Sequence, residues 1–187
     1  MPHIQTISPE DATGELKKIY TDLVETRGKL AEIHKIQSLN PDVLVAHMDL
    51  YMTIMFGKSP LKRYQREMLG VVVSAANNCD YCVNHHEQAL LSYWKDTERV
   101  KMLANPDKRE SASLSKGELL LCRYADQLTK LPSENTSQII QKIKDTGFTD
   151  RAVLDATQVV AYFNFVNRMV LGLGVTFTAD EIKGYKY

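Results

Sequence analysis

Apolar side chains recur every three or four residues along most of the chain, the spacing that places them on one face of a helix. Patterns that would indicate strands do not recur. The expected fold is therefore all-α. The predicted helices cover residues 9–25, 41–56, 60–76, 79–94, 98–103, 116–129, 133–147 and 149–172, with a short helical turn at 33–40.

Several helix boundaries have a recognisable start signal. Ser8-Pro9, Asn40-Pro41 and Ser59-Pro60 each combine a capping residue with proline at the first helical position. Ser115 and Glu118 have the spacing of a capping box. Gly70 interrupts a predicted helix at a cost of about 1 kcal/mol, which indicates that another backbone packs close to it.

The composition is that of an ordinary soluble domain. At 187 residues the chain is long enough for a single domain, and 44% of its residues are apolar. Lys and Arg together number 23, as do Asp and Glu, so no basic surface for nucleic acid is expected. The N-terminal residues lack the features of a signal peptide, and no apolar run is long enough to span a membrane. We therefore expect a cytoplasmic protein with no membrane partner.

One short stretch concentrates the candidate chemistry. Cys79, Cys82, His85 and His86 fall within eight consecutive residues. In a reducing compartment, a Cys-x-x-Cys pair is typical of a catalytic or metal-binding site rather than a structural disulfide. A thiol activated by a nearby base can react as a nucleophile, and a second thiol can then form a disulfide with it. The third cysteine, Cys122, lies in an apolar segment and is interpreted as a small core residue.

Placing the stretch on a helix gives the cysteines different roles. Cys79, Cys82 and His86 then share one face, and His86 is four residues after Cys82. His85 should point elsewhere, which makes it the less suitable base. The helix dipole acts most on Cys79, but a direct hydrogen bond from Cys82 to a base outweighs a dipole effect of about 0.3–1 kcal/mol. We therefore expect Cys82 to be the nucleophile.

Glu67 is a candidate partner for His86. If the two neighbouring helices form an antiparallel hairpin, Glu67 and His86 lie at similar but unequal depths, so that their contact needs a bridging water. The alternative is a solvated glutamate on an exposed helix face.

These residues together resemble a known family. A glutamate, eleven intervening residues and then Cys-x-x-Cys-x-x-x-His is the pattern of the AhpD-like alkylhydroperoxidases in the carboxymuconolactone decarboxylase superfamily. The chain length and the segment Tyr162–Arg168 are most similar to its "peroxidase-related" branch. The specific match covers about residues 41–124, which leaves a helical extension at 1–40 and further helices with a polar tail at 125–187. All are expected to belong to one domain, with the tail loose or packed on a neighbouring subunit.

The resemblance implies an AhpD-like helical bundle that forms a homo-oligomer (dimer, trimer or hexamer). It also implies a peroxidase without cofactor or metal. Cys82 would be the peroxidatic cysteine, Cys79 the resolving cysteine, His86 the base and Glu67 the outer member of a proton relay. The substrate would be a small-molecule peroxide, and an external dithiol, of lipoyl or thioredoxin type, would restore the thiols. Tyr81 departs from the family, which has a histidine between the cysteines, and a tyrosine with a pKa near 10 is a poor proton shuttle.

Three other interpretations remain open from the sequence. The dithiol could serve a thiol–disulfide oxidoreductase or redox sensor with no true peroxide substrate. It could belong to a zinc site, although four ligands within eight helical residues cannot all converge on one tetrahedral ion. It could also be vestigial in a non-catalytic oligomeric helical protein.

Overall fold

The computed structural model describes residues 2–178, 180–181 and 184–185. Within these residues the chain forms α-helices and one short 3₁₀-helix at Arg109–Ser111, and no strand. The predicted all-α fold is therefore confirmed. The α-helices are α1 (Gly14–Arg27), α2 (Glu32–Lys35), α3 (Pro41–Phe56), α4 (Arg63–Ala76), α5 (Asp80–Trp94), α6 (Thr97–Ala104), α7 (Lys116–Lys130), α8 (Ser137–Asp145) and α9 (Asp150–Leu173).

Three predicted helix starts are confirmed, and in each the capping side chain accepts a hydrogen bond from a backbone N–H in the first turn. The Asn40 side chain accepts a hydrogen bond from the backbone N–H of Val43 at 3.3 Å, and α3 begins at Pro41 as predicted. Ser115 and Glu118 form the predicted capping box at the start of α7. Thr149 caps α9 in the same way, through the backbone N–H of Ala152.

Two of the predicted starts are wrong because the turn at the serine is not continued as a helix. The Ser8 hydroxyl accepts from the backbone N–H of Asp11 at 3.2 Å, but α1 begins only at Gly14, whose φ of +54° separates it from that turn. The Ser59 hydroxyl accepts from the backbone N–H of Leu61 at 3.0 Å and donates to a carboxylate oxygen of Asp155 on α9, and α4 begins later than predicted, at Arg63. The third difference is α8, which begins at Ser137 rather than near residue 133.

Helix α4 lies at the centre of the molecule. Every residue from Gln65 to Ser74 is buried, and the helix packs against α5, α7 and α9. Such burial on all sides explains its run of valines, since an encircled helix needs no polar face. The polar side chains that α4 does bury, Glu67 among them, must then find partners inside the protein.

The N-terminal helices form a smaller core on one side of this centre. Leu16, Tyr20 and Leu23 of α1 pack with Leu44 and Met48 of α3. The two helices bring α2 close to the start of α5. The backbone N–H of Ile33, for example, donates to the Tyr81 hydroxyl at 3.1 Å.

After α9, the described part of the chain folds back against α5 of the same molecule. Gly174 ends α9 in the left-handed conformation, with φ of +65°. Glu181 is only 6% exposed and contacts α5, so at this point the predicted tail is not a loose end. Residues 179, 182–183 and 186–187 of that tail lie outside the described residues. None of the helices described is long and apolar enough to cross a membrane.

Candidate active site

A cavity of about 90 Å³ lies between α5 and the elements around it. It receives side chains from α1 and the connection after it, from α3, α4, α5 and α9, and from the C-terminal segment. Four of the five predicted site residues line it, and Cys79 does not. The lining residues used below are Arg27, His34, His47, Tyr51, Glu67, Tyr81, Cys82, His85, His86, Tyr162, Phe163 and Tyr185.

The two cysteines of the motif are reduced, buried and oriented toward different openings. Cys79 is the N-cap of α5, and Cys82 lies in the first turn. Cys82 lines the cavity described above, whereas Cys79 lines a separate, more open depression of about 360 Å³ formed with residues after α9, among them Val175 and Phe177. A molecule in the cavity beside His86 therefore meets Cys82 and not Cys79.

The two sulfurs influence each other directly. A hydrogen bond with the Cys82 thiol lowers the pKa of Cys79. The same hydrogen bond, together with burial, raises the pKa of Cys82 well above its ordinary value. In the resting pair, Cys82 thus keeps its proton, and a base must remove it before Cys82 can react.

The candidate base, His86, lies beside a buried carboxylate. His86 Nδ1 lies 2.7 Å from Glu67 Oε2, in a direct contact that needs no bridging water. The prediction of a bridging water is wrong, because the glutamate side chain itself spans the difference in depth between the two residues. With Nδ1–H donating to the carboxylate, Nε2 is the nitrogen left to accept a proton.

Glu67 is 1% exposed, so the alternative of a solvated surface glutamate is wrong. Arg63, one turn earlier on α4, forms an ion pair with its other oxygen, Oε1. Burial alone would raise the pKa of Glu67, but the charges and hydrogen bonds of His86 and Arg63 outweigh burial and lower it. The carboxylate is therefore ionised when it holds His86.

The His86 ring is fixed by packing as well as by its hydrogen bond. Phe163 meets it edge to face, with 4.3 Å between ring centroids. A side-chain carbon added at Gly70 would lie 3.1 Å from the His86 ring and 3.0 Å from Phe163. A side chain at position 70 would crowd both rings, so Gly70 lets two side chains approach α4 closely. The prediction that another backbone packs against Gly70 is therefore wrong.

Tyr81 does not direct its proton toward the cysteines. Its hydroxyl donates to Glu181 Oε1 at 3.0 Å and accepts from the backbone N–H of Ile33. Burial, and then the charge of Glu181, raise the pKa of Tyr81 well above 10. Tyr81 therefore remains a phenol that connects α5, α2 and the C-terminal segment.

Sequence reasoning missed the second histidine of the motif and its partner. His85 lines the same cavity as His86, and its Nε2 lies 2.7 Å from Glu181 Oε2. Burial would raise the pKa of Glu181, but its hydrogen bond and charge interaction with His85 lower it. No local pattern in the sequence could connect these residues, because they are 96 positions apart.

A family model matches the part of the chain that contains most of this site. The model of the carboxymuconolactone decarboxylase family matches residues 41–106, which contain Glu67, both motif cysteines and both motif histidines. This match supports the resemblance to the AhpD-like and carboxymuconolactone decarboxylase superfamily. No curated protein sequence matches it.

Solved structures of two peroxidase-related AhpD-like proteins share the fold over almost the whole chain. The uncharacterized protein from Silicibacter sp. TM1040 is 25% identical, with a TM-score of 0.82 over 97% of this chain and 91% of that one. The uncharacterized protein from Ralstonia eutropha JMP134, described as an alkylhydroperoxidase AhpD core, is 21% identical, with a TM-score of 0.86 over 97% and 94%. The debrominase Bmp8, solved in complex with 2,3,4-tribromopyrrole, is 17% identical, with a TM-score of 0.76 over 96% and 97%.

The rest of the cavity is lined by aromatic and aliphatic side chains, two further histidines and one charged residue, Arg27. His47 Nε2 lies 2.7 Å from the Tyr162 hydroxyl, and burial lowers the pKa of His47 to about 4. Burial, and then nearby positive charge, lower the pKa of His34 to about 3. Both histidines are therefore neutral at pH 7. Among the residues described, no three His, Cys, Asp or Glu side chains are grouped so as to hold a metal ion.

The neutral state of His47 predicts a loss of stability in mild acid. Below pH 6.5 the unfolded chain binds a proton at this residue, whereas the folded protein does not until about pH 4. The stability is therefore present above pH 6.5 and lost as the pH falls toward 4. Between pH 7 and pH 5, we expect His47 to account for about 2 kcal/mol of the lost free energy of unfolding.

Urea unfolding of wild type and His47→Gln at both pH values checks this. The loss between pH 7 and pH 5 should be smaller in the variant by about that amount. His3→Gln, at an exposed position, is the matched control. An unchanged pH dependence in His47→Gln would contradict the assignment.

Proposed function

We propose that the protein is a cofactor-free thiol peroxidase that reduces small peroxides through Cys82 and Cys79. One observation supports this above the others: Cys82 lines the same cavity as His86, whose Nδ1 is held at 2.7 Å by the buried carboxylate of Glu67. A nucleophile, a base and a group that orients the base are the parts that thiol chemistry requires. An external dithiol is the reductant in this proposal.

The proposed cycle begins with transfer of the Cys82 proton to His86 Nε2. The thiolate attacks the terminal oxygen of the peroxide, so that an S–O bond forms, the O–O bond breaks and the alcohol leaves after taking up a proton. Cys79 then attacks the Cys82 sulfur and displaces water, which leaves a disulfide. The external dithiol reduces that disulfide and is itself oxidised.

Access, rather than acidity, supports the choice of Cys82 as the peroxidatic residue. The pKa of Cys79 is the lower of the two, so acidity alone would favour Cys79. Cys79, however, does not line the cavity that contains the base. A peroxide in this cavity reaches Cys82, and the lowered pKa of Cys79 suits the residue that attacks next, as the thiolate that resolves the sulfenic acid.

Replacing the two cysteines separately should give different products. With Cys82→Ser we expect no peroxide consumption, because the nucleophile is lost. With Cys79→Ser we expect a single turnover that leaves a sulfenic acid on Cys82, because no second thiol can resolve it. Peroxide consumption with dihydrolipoamide, and mass spectrometry after trapping of sulfenic acid, measure the two outcomes. Cys122→Ser is the control, since burial raises the pKa of that thiol to about 12.

Two results would contradict the proposal. Undiminished peroxide turnover in Cys82→Ser would remove Cys82 from its role. Fast reduction of a disulfide substrate by wild type, with no consumption of any peroxide, would identify a thiol–disulfide oxidoreductase instead.

The carboxylate of Glu67 should matter through His86. In Glu67→Gln the side chain keeps its shape but no longer offers an anion to Nδ1–H. We expect kcat/KM for peroxide to fall by about 10- to 100-fold, the range found when the partner behind a functional histidine is removed. Glu87→Gln on α5 is the matched control, because Glu87 is adjacent to His86 but does not line the cavity. Equal kcat/KM in Glu67→Gln and wild type would exclude the relay.

A second candidate is dithiol-driven reductive dehalogenation of an aromatic ring. The cavity favours it in one respect, since Tyr51, Tyr162 and Phe163 form an aromatic wall with centroids 5.9 Å and 5.1 Å apart. In such a reaction the carbon–bromine bond is replaced by carbon–hydrogen, bromide leaves and the two thiols become a disulfide. The volume of about 90 Å³ argues for the smaller peroxide, because a cavity that binds benzene measures about 150 Å³.

Bromide release from 2,3,4-tribromopyrrole in the presence of dithiothreitol separates the two candidates. If the protein is a peroxidase, we expect wild type to release no more bromide than Cys82→Ser does. If wild type releases more bromide than this variant and consumes no peroxide, dehalogenation would become the favoured function.

A further inference from the structure

Next to the His86–Glu67 pair, the cavity wall contains a second histidine–carboxylate pair that the cycle above does not use. His85 Nε2 and Glu181 Oε2 are 2.7 Å apart. The Glu181 side chain is 7% exposed and the His85 side chain 14%. The carboxylate comes from the C-terminal segment, so this pair exists only because that segment returns to α5.

Glu181 is held by more donors than an incidental surface contact would provide. Its Oε1 accepts from the Tyr81 hydroxyl at 3.0 Å, the Tyr185 hydroxyl at 3.0 Å and the backbone N–H of Glu32 at 3.2 Å. A carboxylate with this many donors is bound in its ionised form. The segment therefore delivers a fixed negative charge to one nitrogen of His85.

The His85 ring is also held on both sides. Its centroid lies 4.4 Å from that of Tyr81 and 5.4 Å from that of Tyr185. The ring belongs to the wall of the cavity that contains Cys82. Since Nε2–H donates to Glu181, Nδ1 is the nitrogen available for proton exchange with a molecule in the cavity.

Peroxide reduction needs two proton transfers at different atoms. A base must take the proton of the Cys82 thiol, and an acid must protonate the alkoxide that departs when the O–O bond breaks. Tyr81 is unsuited to the second task, because its proton is donated to Glu181. His86 is occupied with the first.

We propose that His85, positioned by Glu181, is the acid that protonates the leaving group, while His86 is the base for Cys82. This inference rests on the proposed peroxidase function. In the step, the Cys82 thiolate forms a bond to the terminal peroxide oxygen and the O–O bond breaks. The protonated His85 gives its Nδ1 proton to the departing alkoxide, so that an alcohol leaves. His85 then regains a proton from solvent, and His86 releases to solvent the proton that it took from Cys82. His85 is thus a catalytic residue and Glu181 a positioning residue.

The inference is tested by changing the leaving group. Ethyl hydroperoxide releases an alkoxide, which needs a proton, whereas peracetic acid releases acetate, which is stable as an anion. In His85→Gln we expect kcat/KM for ethyl hydroperoxide to fall by about 100-fold or more, the contribution of a positioned acid, and that for peracetic acid to change by less than about 3-fold. Glu181→Gln should shift the ratio of the two substrates in the same direction by a smaller factor.

Asp180→Asn is the matched control. It removes one carboxylate from the same segment, at an exposed side chain whose residue contacts Lys29 through its backbone carbonyl. We expect the ratio of the two substrates to remain that of wild type. Thermal melting of each variant shows whether it is folded. If His85→Gln does not fold, Glu181→Gln still tests the inference.

The outcomes separate this inference from the function on which it rests. Equal losses on both substrates in a folded His85→Gln or Glu181→Gln would give these residues a structural role only and overturn the inference, with the peroxidase function intact. Wild-type protein that consumes neither substrate would overturn both.

Discussion

The burial of one ionised carboxylate constrains the centre of this protein. Glu67 lies on a helix that is enclosed on all sides, where an unpaired charge would cost several kcal/mol. Its partners are Arg63 on the same helix and His86 on the next. The pairing fixes the register of α4 against α5, because sliding either helix by one turn would separate the carboxylate from the imidazole. Gly70 suits the same register, since a Cβ at this position would lie 3.1 Å from the His86 ring.

This register also decides what each cysteine can reach. Cys79 caps α5 at the end of the α4–α5 connection and faces the residues after α9, whereas Cys82 faces the cavity. Two thiols that share a hydrogen bond are thus reached from different sides. Cys82 lies in the cavity that contains His86, whereas Cys79, in the separate depression, has the lower pKa.

Much of the fold and the contact between Glu67 and His86 could be predicted from the sequence, because they depend on residues near each other in the chain. Helical periodicity gave α3, α5, α7 and α9, and the spacing of Glu67 from His86 indicated a hairpin contact. The start of α4 was predicted too early, because Ser59-Pro60 has the residues of a helix start but the helix begins only at Arg63. The contact between Glu181 and His85 could not be predicted, since two residues 96 positions apart leave no local pattern. His85 was expected to point away from the site but lines the same cavity as His86, because the helix-face argument did not consider what packs on the next face.

Adjacent residues on a helix point about 100° apart, so consecutive histidines cannot share one partner. His86 turns toward α4 and is bound at Nδ1, and His85 turns toward the C-terminal segment and is bound at Nε2. Each imidazole is therefore held at one nitrogen by a buried carboxylate from a different element, Glu67 or Glu181, and its other nitrogen is available for proton exchange. In the proposed cycle, a single histidine would have to hold the thiol proton and then deliver it to the departing oxygen. Two histidines fixed from two sides would let the removal of one proton and the delivery of another occur at separate atoms.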